Sequence, residues 1–347
     1  MSIWKLVRLN FGRSPTHFGE IGIGLEQTSE RVRSDTLFSA WVSAYARIFG
    51  SSGIEQLLTD FTENPEHPPF RVSSTFIYRW DGEGFIDYLP KPIEKPVGYP
   101  DPDLSIAKTY RKLDYLPLSI WRQWYQDNDF DQNCDLQQLI NDYKAAFKPY
   151  ELPKVSIDRT TRATNFYHTG LVQFAWEPNT AVSHNPVASL AGLYFLVQFP
   201  TPNNELETRL RMALELLGEE GLGGERSSGA GRFQVMEWGD LPEDWRSLIN
   251  FTDGNHHALI SLFWQHPLPS DYLADSARYV LQERGGWIAS PSGRQLRRKK
   301  VHMFAEGSVF PKVPVGRLAN VTPQQFTAHP IYRSGVALSL PIKLAVS

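Results

Sequence analysis

The chain has 347 residues, 41% hydrophobic and 21% charged, and a formal net charge of −3. That length and apolar content suit two domains, or one large one, with sizeable cores. The small negative charge excludes a protein that coats nucleic acid indiscriminately, which carries a large positive excess. A single cysteine, Cys134, excludes an internal disulfide framework and fits a reducing compartment. No apolar segment follows Met1 like a signal peptide, and no apolar run approaches the ~20 residues of a membrane helix. A cytoplasmic, membrane-free location is therefore expected, and any polyanion must be held locally, by placed arginines and backbone N–H groups.

Ile3–Phe11 alternates as a strand, with Val7 and Leu9 on one face and Arg8 and Asn10 on the other. After the loop Gly12–Arg33, Ser34 reads as the N-cap of a helix reaching Phe49 and closed by Gly50. Thr75–Trp80 and Phe85–Leu89 read as a hairpin across Asp81–Gly84. Pro90–Pro102 carries five prolines and is a loop. Short helices are predicted at Ser105–Leu113 and Ser119–Gln126, and a longer one at Asp135–Phe147. Val155–Trp176 has the pattern of an extended hairpin.

A second start follows Leu190. Ala191–Phe199 is strand-like, and its Leu196-Val197-Gln198-Phe199 echoes Leu6-Val7-Arg8-Leu9. Asn204 caps a helix with Glu207 in the capping-box position, Leu206, Leu210, Leu214 and Leu217 form its apolar stripe, and Gly218 ends it. Further strands are expected at Phe233–Trp238, His257–Gln265, Tyr279–Arg284 with Trp287–Ala289 across Gly285-Gly286, Lys300–Phe304 and Val336–Leu344. Each half thus opens strand–helix and continues mainly in strands. The expected class is α+β: two ferredoxin-like βαββαβ domains with antiparallel sheets. Residues 1–189 form the first, with a helical and proline-rich insert at about 90–150 and a hairpin at about 155–176. Residues 190–347 form the second.

Between the second helix and its following strand lies Gly218–Phe233, with six glycines, two arginines and two serines in its sixteen residues. Glycines let a partner approach the main chain, and successive N–H groups can face an anion. No Gly-Lys-Ser/Thr and no G-x-G-x-x-G register is present, and nucleotide loops require strand–loop–helix, whereas the order here is helix–loop–strand. The spacing is instead Gly221-x-Gly223, five residues, Gly229-x-Gly231, then Arg232-Phe233.

That pattern between helix and strand resembles the hallmark loop of the RAMP superfamily, the RNA-binding proteins of CRISPR systems. Ser14–Gly19, Ser34–Ala40, Glu306–Phe310 and His329–Arg333 extend the resemblance over both halves in the expected order. Within the superfamily the chain resembles the subunit that caps the 5′ handle of the CRISPR RNA (crRNA) in type III-A (Csm) effector complexes. The resemblance implies a non-catalytic role in antiviral defence. It also implies three partners: the crRNA, the large polymerase-like subunit and the filament-forming backbone subunit, with target RNA met indirectly.

Candidate RNA contacts follow from chemistry and resemblance together. The glycine loop supplies Gly221, Gly223, Gly224, Arg226, Ser227, Ser228, Gly229, Gly231 and Arg232. Arg31, Arg33 and Ser34 lie at the first helix N-terminus, where N–H groups and the macrodipole favour phosphate, although Asp35 competes there. Arg159, Thr160, Arg162, Phe166 and Tyr167 mix cations, hydroxyls and aromatics as single-stranded RNA binders do. Arg298 and Lys299, in the basic run Arg294–Lys300, and Ser308 beside the strand it enters can face a phosphate backbone.

His17 is a further candidate, as a phosphate contact or, in the alternative reading, as the general base of a metal-independent crRNA-processing endoribonuclease. Gly12–Arg33 holds Glu20, Glu26 and Glu30 but lacks the aspartate with which the family's target-cleaving subunits act. A protein-interaction scaffold without RNA contact is the third reading. No cofactor or metal is expected. Asp127-x-Asp129-x-Asp131 starts like a calcium loop but has Gln132 and Gln138 where glycine and glutamate are needed. His256 and His257 are adjacent on a strand and point apart.

Overall fold

The computed structural model describes residues 2–19, 24–99, 104–131, 134–177, 188–189, 191–288 and 296–345. Glu20, Pro102, Gln132, Leu190, Ala289, Arg294 and Gln295, all part of the expectations above, lie outside these. The main strands are β1 (Ile3–Asn10), β2 (Phe76–Trp80), β3 (Phe85–Pro90), β4 (Tyr115–Pro117), β5 (Phe147–Ile157), β6 (Thr164–Phe174), β7 (Ala191–Phe199) and β8 (Gln234–Asp240). The helices are α1 (Ser34–Glu63), α2 (Leu104–Arg111), α3 (Leu118–Tyr125), α4 (Leu136–Lys144), α5 (Asn204–Glu220) and α6 (Glu243–Ile249).

A mixed sheet-and-helix architecture with antiparallel pairing results, and its central sheet runs β8-β1-β7-β2-β3-β4. Strand β1 lies between β7 and β8, so elements on both sides of residue 189 share one sheet. The strand–helix–strand expected to open a separate second unit completes the first sheet instead. Residues beyond α6 form short pairings: His256–Leu259 with Val309–Phe310 and Ser339–Ile342, Leu281–Arg284 with Val301–Phe304, and Leu318–Asn320 with Tyr332–Ser334. Among the described residues no α-helix follows Ile249.

Side-chain alternation explains this sharing. Strand β7 is buried on both faces: Leu193, Phe195 and Val197 join the core under α1 and α5, while Tyr194 and Leu196 face the opposite core. Strand β1 divides likewise, Val7 and Leu9 one way and Leu6 the other. Leu210, Leu214 and Leu217 of α5 pack beside Trp41 and Tyr45 of α1 over one face, and the Trp41 indole donates to the Leu210 carbonyl at 2.7 Å. Trp121 and Trp124 of α3, Trp245 of α6 and Leu340 cover the other face. A strand buried on both sides reads as continuous apolar sequence, and β7 has that pattern.

Several boundaries shift. Helix α1 is kinked at Gly50 (φ 70°, ψ −173°) and resumes to Glu63 rather than ending there. Its N-cap is Arg33, and the Ser34 hydroxyl accepts from Leu262 N–H at 2.9 Å instead of capping. The α5 cap is Asn203, accepting from Leu206 N–H at 3.0 Å, one residue before the expected Asn204. Glu207 accepts from the Trp238 indole at 2.9 Å instead of closing a capping box. Leu281–Arg284 pairs with Val301–Phe304, not across Gly285-Gly286; Trp287 bridges Arg297. The hairpin β5–β6 is longer than expected, eleven facing residues from Phe147↔Phe174 to Ile157↔Thr164.

Two buried carboxylates clamp distant parts of the chain. Asp35, the second residue of α1, receives Arg284 in a two-pronged contact at 3.0 and 3.0 Å and also pairs with Arg333. Glu306 receives Arg31 at 3.0 and 3.2 Å, pairs with Arg33 and accepts from Ser74. Burial works to raise both acids, but the paired arginines outweigh it and hold Asp35 and Glu306 below the usual carboxylate range. A third knot joins Arg8 to Asp87 at 2.9 Å and to Glu237, with the Trp245 indole donating to Asp87 at 2.8 Å.

Replacing Asp35 by Asn leaves Arg284 and Arg333 buried without a counter-charge, and the expected destabilisation is about 3–5 kcal/mol in urea unfolding. Because Asp35 and Glu306 titrate lower in the folded chain than in the unfolded one, their contribution is complete above about pH 5 and is lost as pH falls through the folded values. The unfolding midpoint should therefore drop between about pH 5 and pH 3; a midpoint flat across that window would argue against the two clamps.

Candidate RNA interface

The clamps place the N-terminus of α1 against Arg284 and Arg333 and leave a groove of about 760 Å³ beside it. Its lining comes from Phe18 and Gly19 after β1, Arg31 and Arg33, one face of α1, Gly221–Gly224 and Arg226 of the glycine loop, and Arg284, Arg298 and His329. Six arginines border it and none of the described lining residues is acidic. The counter-charges Asp35 and Glu306, only 0% and 1% exposed at their side chains, lie behind the wall. Arg298 is half-buried, with an Nε that meets no acceptor among the described residues. It is pushed down to about 10, by burial first and then by Arg333 and Arg284 against the pull of Asp35. An anion in the groove would relieve that crowding of like charge.

The glycine loop reaches the groove by docking on the segment after β1. Gly224 N–H donates to the His17 carbonyl and Gly231 N–H to that of Pro15, each at 2.8 Å. Leu222 N–H closes the loop's neck on the Gly231 carbonyl at 2.8 Å. Side chains are excluded at this seam. A Cβ on Gly223 (φ +99°) would lie 2.4 Å from the His17 carbonyl oxygen, and one on Gly231 (φ +78°) 2.1 Å from that of Leu222. The expectation of a loop that offers its main-chain N–H groups to an anion is thus modified. Many are satisfied inside the protein, and Arg226 with the open approach over Gly221, Gly223 and Gly224 carries the loop's share of the groove.

The remaining candidates divide. Arg31 and Arg33 do line the groove, although both are tied to Glu306. Ser34 and Ser308 are 1% and 0% exposed; Ser308 accepts from Val280 N–H, so neither hydroxyl is at the surface. Ser227, Ser228, Gly229, Arg232 and Lys299 are exposed but border other solvent, outside the groove lining. His17 is 6% exposed; its Nδ1 faces the Gly170 carbonyl at 2.7 Å, and Gly224 packs over the ring. That acceptor requires Nδ1 to carry the proton, leaving Nε2 as the basic nitrogen.

The base of the hairpin is fixed, by Thr16 and Val172 exchanging backbone bonds at 2.8 and 2.9 Å, and an ion pair of Lys154 with Glu225 joins it to the glycine loop. Its tip is ordered by Asp158, which accepts from Thr160 and Thr161 N–H and is lowered by them. Arg159, Thr160, Arg162 and Phe166 are exposed there, Phe166 at 60%, and Tyr167 is half-buried. The tip does not line the groove.

Sequence reasoning missed Arg47, Arg284, Ser39, Ser43 and His329. Arg284 closes an otherwise ordinary strand next to two glycines, and nothing in that local pattern marks it out. A second cavity, about 600 Å³, adjoins Arg31 on its other side and is lined by Lys91, Tyr110, Asp114 and Tyr115. Burial pushes Lys91 down to about 8, and its ammonium lies 3.7 Å from the Tyr110 ring centroid.

Comparison with known proteins meets this geometry from outside. Residues 252–342 match the family described as the CRISPR Csm4 C-terminal domain. A Csm4 protein of Methanocaldococcus jannaschii is 24% identical over 341 residues, covering 90% of this chain and 86% of its own. Its counterpart in Mycobacterium tuberculosis is 27% identical over 334 residues, with 94% of both chains covered. Among solved structures, one of a Csm3–Csm4 subcomplex of the type III-A interference complex superposes with a TM-score of 0.66 at 18% identity, over 99% of this chain and 100% of the other. A Csm1–Csm4 cassette with AMPPNP gives 0.55 at 18%, with 100% of both covered. In fold and in sequence, along nearly its whole length, the chain resembles the Csm4-type RAMP subunits of type III-A CRISPR complexes.

Proposed function

We propose that the chain is a non-catalytic, RNA-binding subunit of a type III-A CRISPR interference complex, and that the arginine-lined groove holds the repeat-derived 5′ handle of the crRNA. The observation that carries this reading is the groove itself. Segments from residue 18 to residue 329 converge on one surface whose described lining holds six arginines and no acid, in a chain of net charge −3. A protein with little overall attraction for polyanions gains local affinity only where like charges are gathered, and each neutralised phosphate adds to that affinity by counterion release. The hairpin tip, with an exposed Phe166 beside Arg159 and Arg162, suits a second contact with bases rather than with the handle backbone. The large polymerase-like subunit and the backbone subunit are the proposed protein partners, by analogy with the Csm1–Csm4 and Csm3–Csm4 assemblies. A ferredoxin-like description fits the β1-α1-β2-β7-α5-β8 set, with residues 81–190 inserted.

Changing Arg226 and Arg298 together to alanine is expected to weaken handle-RNA binding at least about tenfold at ~0.1 M salt. The plot of log affinity against log salt should flatten by about 0.7 for each phosphate that is no longer neutralised. Arg232→Ala, outside the groove, should leave both unchanged. Equal effects of the two sets would sink the groove as the site. Metal-free incubation with repeat RNA is expected to leave it intact; specific cleavage that disappears in His17→Ala would instead establish the endoribonuclease.

A further inference from the structure

The α1 face of the groove differs in composition from the rest of the lining. It presents Thr36, Ser39, Ala40, Ser43, Ala46 and Arg47. Two of these hydroxyls have their hydrogens already placed. Ser39 Oγ donates to the Asp35 carbonyl at 2.8 Å and Ser43 Oγ to the Ser39 carbonyl at 2.7 Å, each bonding back one turn. What these side chains have left for a ligand is acceptor capacity. Thr36 differs, because its Oγ1 donates toward Asp35 and accepts from Arg284 at 3.1 Å and is held within the clamp. Alanines at 40 and 46 keep the surface low enough for a strand to approach.

Acceptors do not suit a phosphate, whose oxygens only accept. They suit a donor on the sugar. Ser39 and Ser43 are four residues apart, about 6 Å along the helix axis, on the scale of a single nucleotide step. In RNA each such step carries a 2′-hydroxyl that can donate, and in DNA the same position carries only hydrogen. We infer that Ser39 and Ser43 accept hydrogen bonds from ribose 2′-hydroxyls of a strand whose phosphates are met by the groove's arginines, so that α1 selects RNA over DNA. This rests on the groove being the nucleic-acid site.

Handle-sequence RNA and the same sequence as DNA, titrated against the full chain and its Ser39→Ala/Ser43→Ala variant, test it. Alanine favours the helix and removes no bond that another element needs, so the variant is expected to keep the parent's circular dichroism and melting. The parent should prefer RNA by about tenfold or more, at about two- to tenfold per hydroxyl contact. The variant should lose that preference by weakening RNA binding alone, with the salt slope unchanged. A single 2′-deoxy substitution in the RNA should reproduce part of the loss in the parent and none in the variant. A variant that keeps the preference, or a parent that binds both strands equally, overturns the role of the serines and leaves the groove standing. Failure to bind either strand overturns the groove reading, and the inference with it.

Discussion

Two carboxylates, each shared by two arginines, decide where everything else can sit. Asp35 and Glu306 are almost wholly removed from water, and an uncompensated charge in such a place costs several kcal/mol. Arg284 and Arg333 must therefore come to the α1 N-terminus, and Arg31 and Arg33 to the segment around residue 306. These contacts span 249 and 298 residues for Asp35 and 275 and 273 for Glu306. They dock the region after α6 onto the central sheet. The groove is the surface left at that seam.

Close packing at the same seam explains the glycine loop. With β1 between β7 and β8, the connection from α5 to β8 must cross the end of β1, where the Ser14–Gly19 segment leaves the sheet. A side chain on Gly223 would have no room against the His17 carbonyl of that segment, and one on Gly231 none against Leu222 at the loop's own neck. Glycine there serves packing first. Its benefit to a ligand is indirect: the loop lies low, and Arg226 is brought to the groove margin.

The sequence showed the element types well and their grouping poorly. Strands β1 and β7, the β2–β3 hairpin and helices α1 and α5 were legible because each buries a periodic apolar set large enough to override local preference. What could not be read was that β7, α5 and β8 belong to the sheet begun by β1, since alternation reports which face is buried and never against what. The same limit governed the site. Arg31, Arg33, Arg226 and Arg298 were visible as cations near plausible anion sites, but Arg284 and Arg47 sit in ordinary strand and helix sequence. Ser34 and Ser308 were candidates by residue type and proved buried, each accepting a backbone N–H from a distant segment. Asp35, expected to compete with an anion, instead organises two of the arginines.

That reversal bears on the net charge. A chain with 38 acidic and 35 basic residues could present a basic surface by excluding acids from it, yet arginines crowded together in that way repel one another and would disperse. Burying a carboxylate behind the surface solves both problems. It screens the arginines from each other at short range and fixes their direction through two-pronged geometry, while its own charge is neutralised twice over by its partners. Four arginines around two acids leave an excess of two positive charges in a rigid frame, to which Arg226 and Arg298 add. Local charge sorting by burial, not overall composition, is what gives a mildly acidic protein an arginine-lined groove.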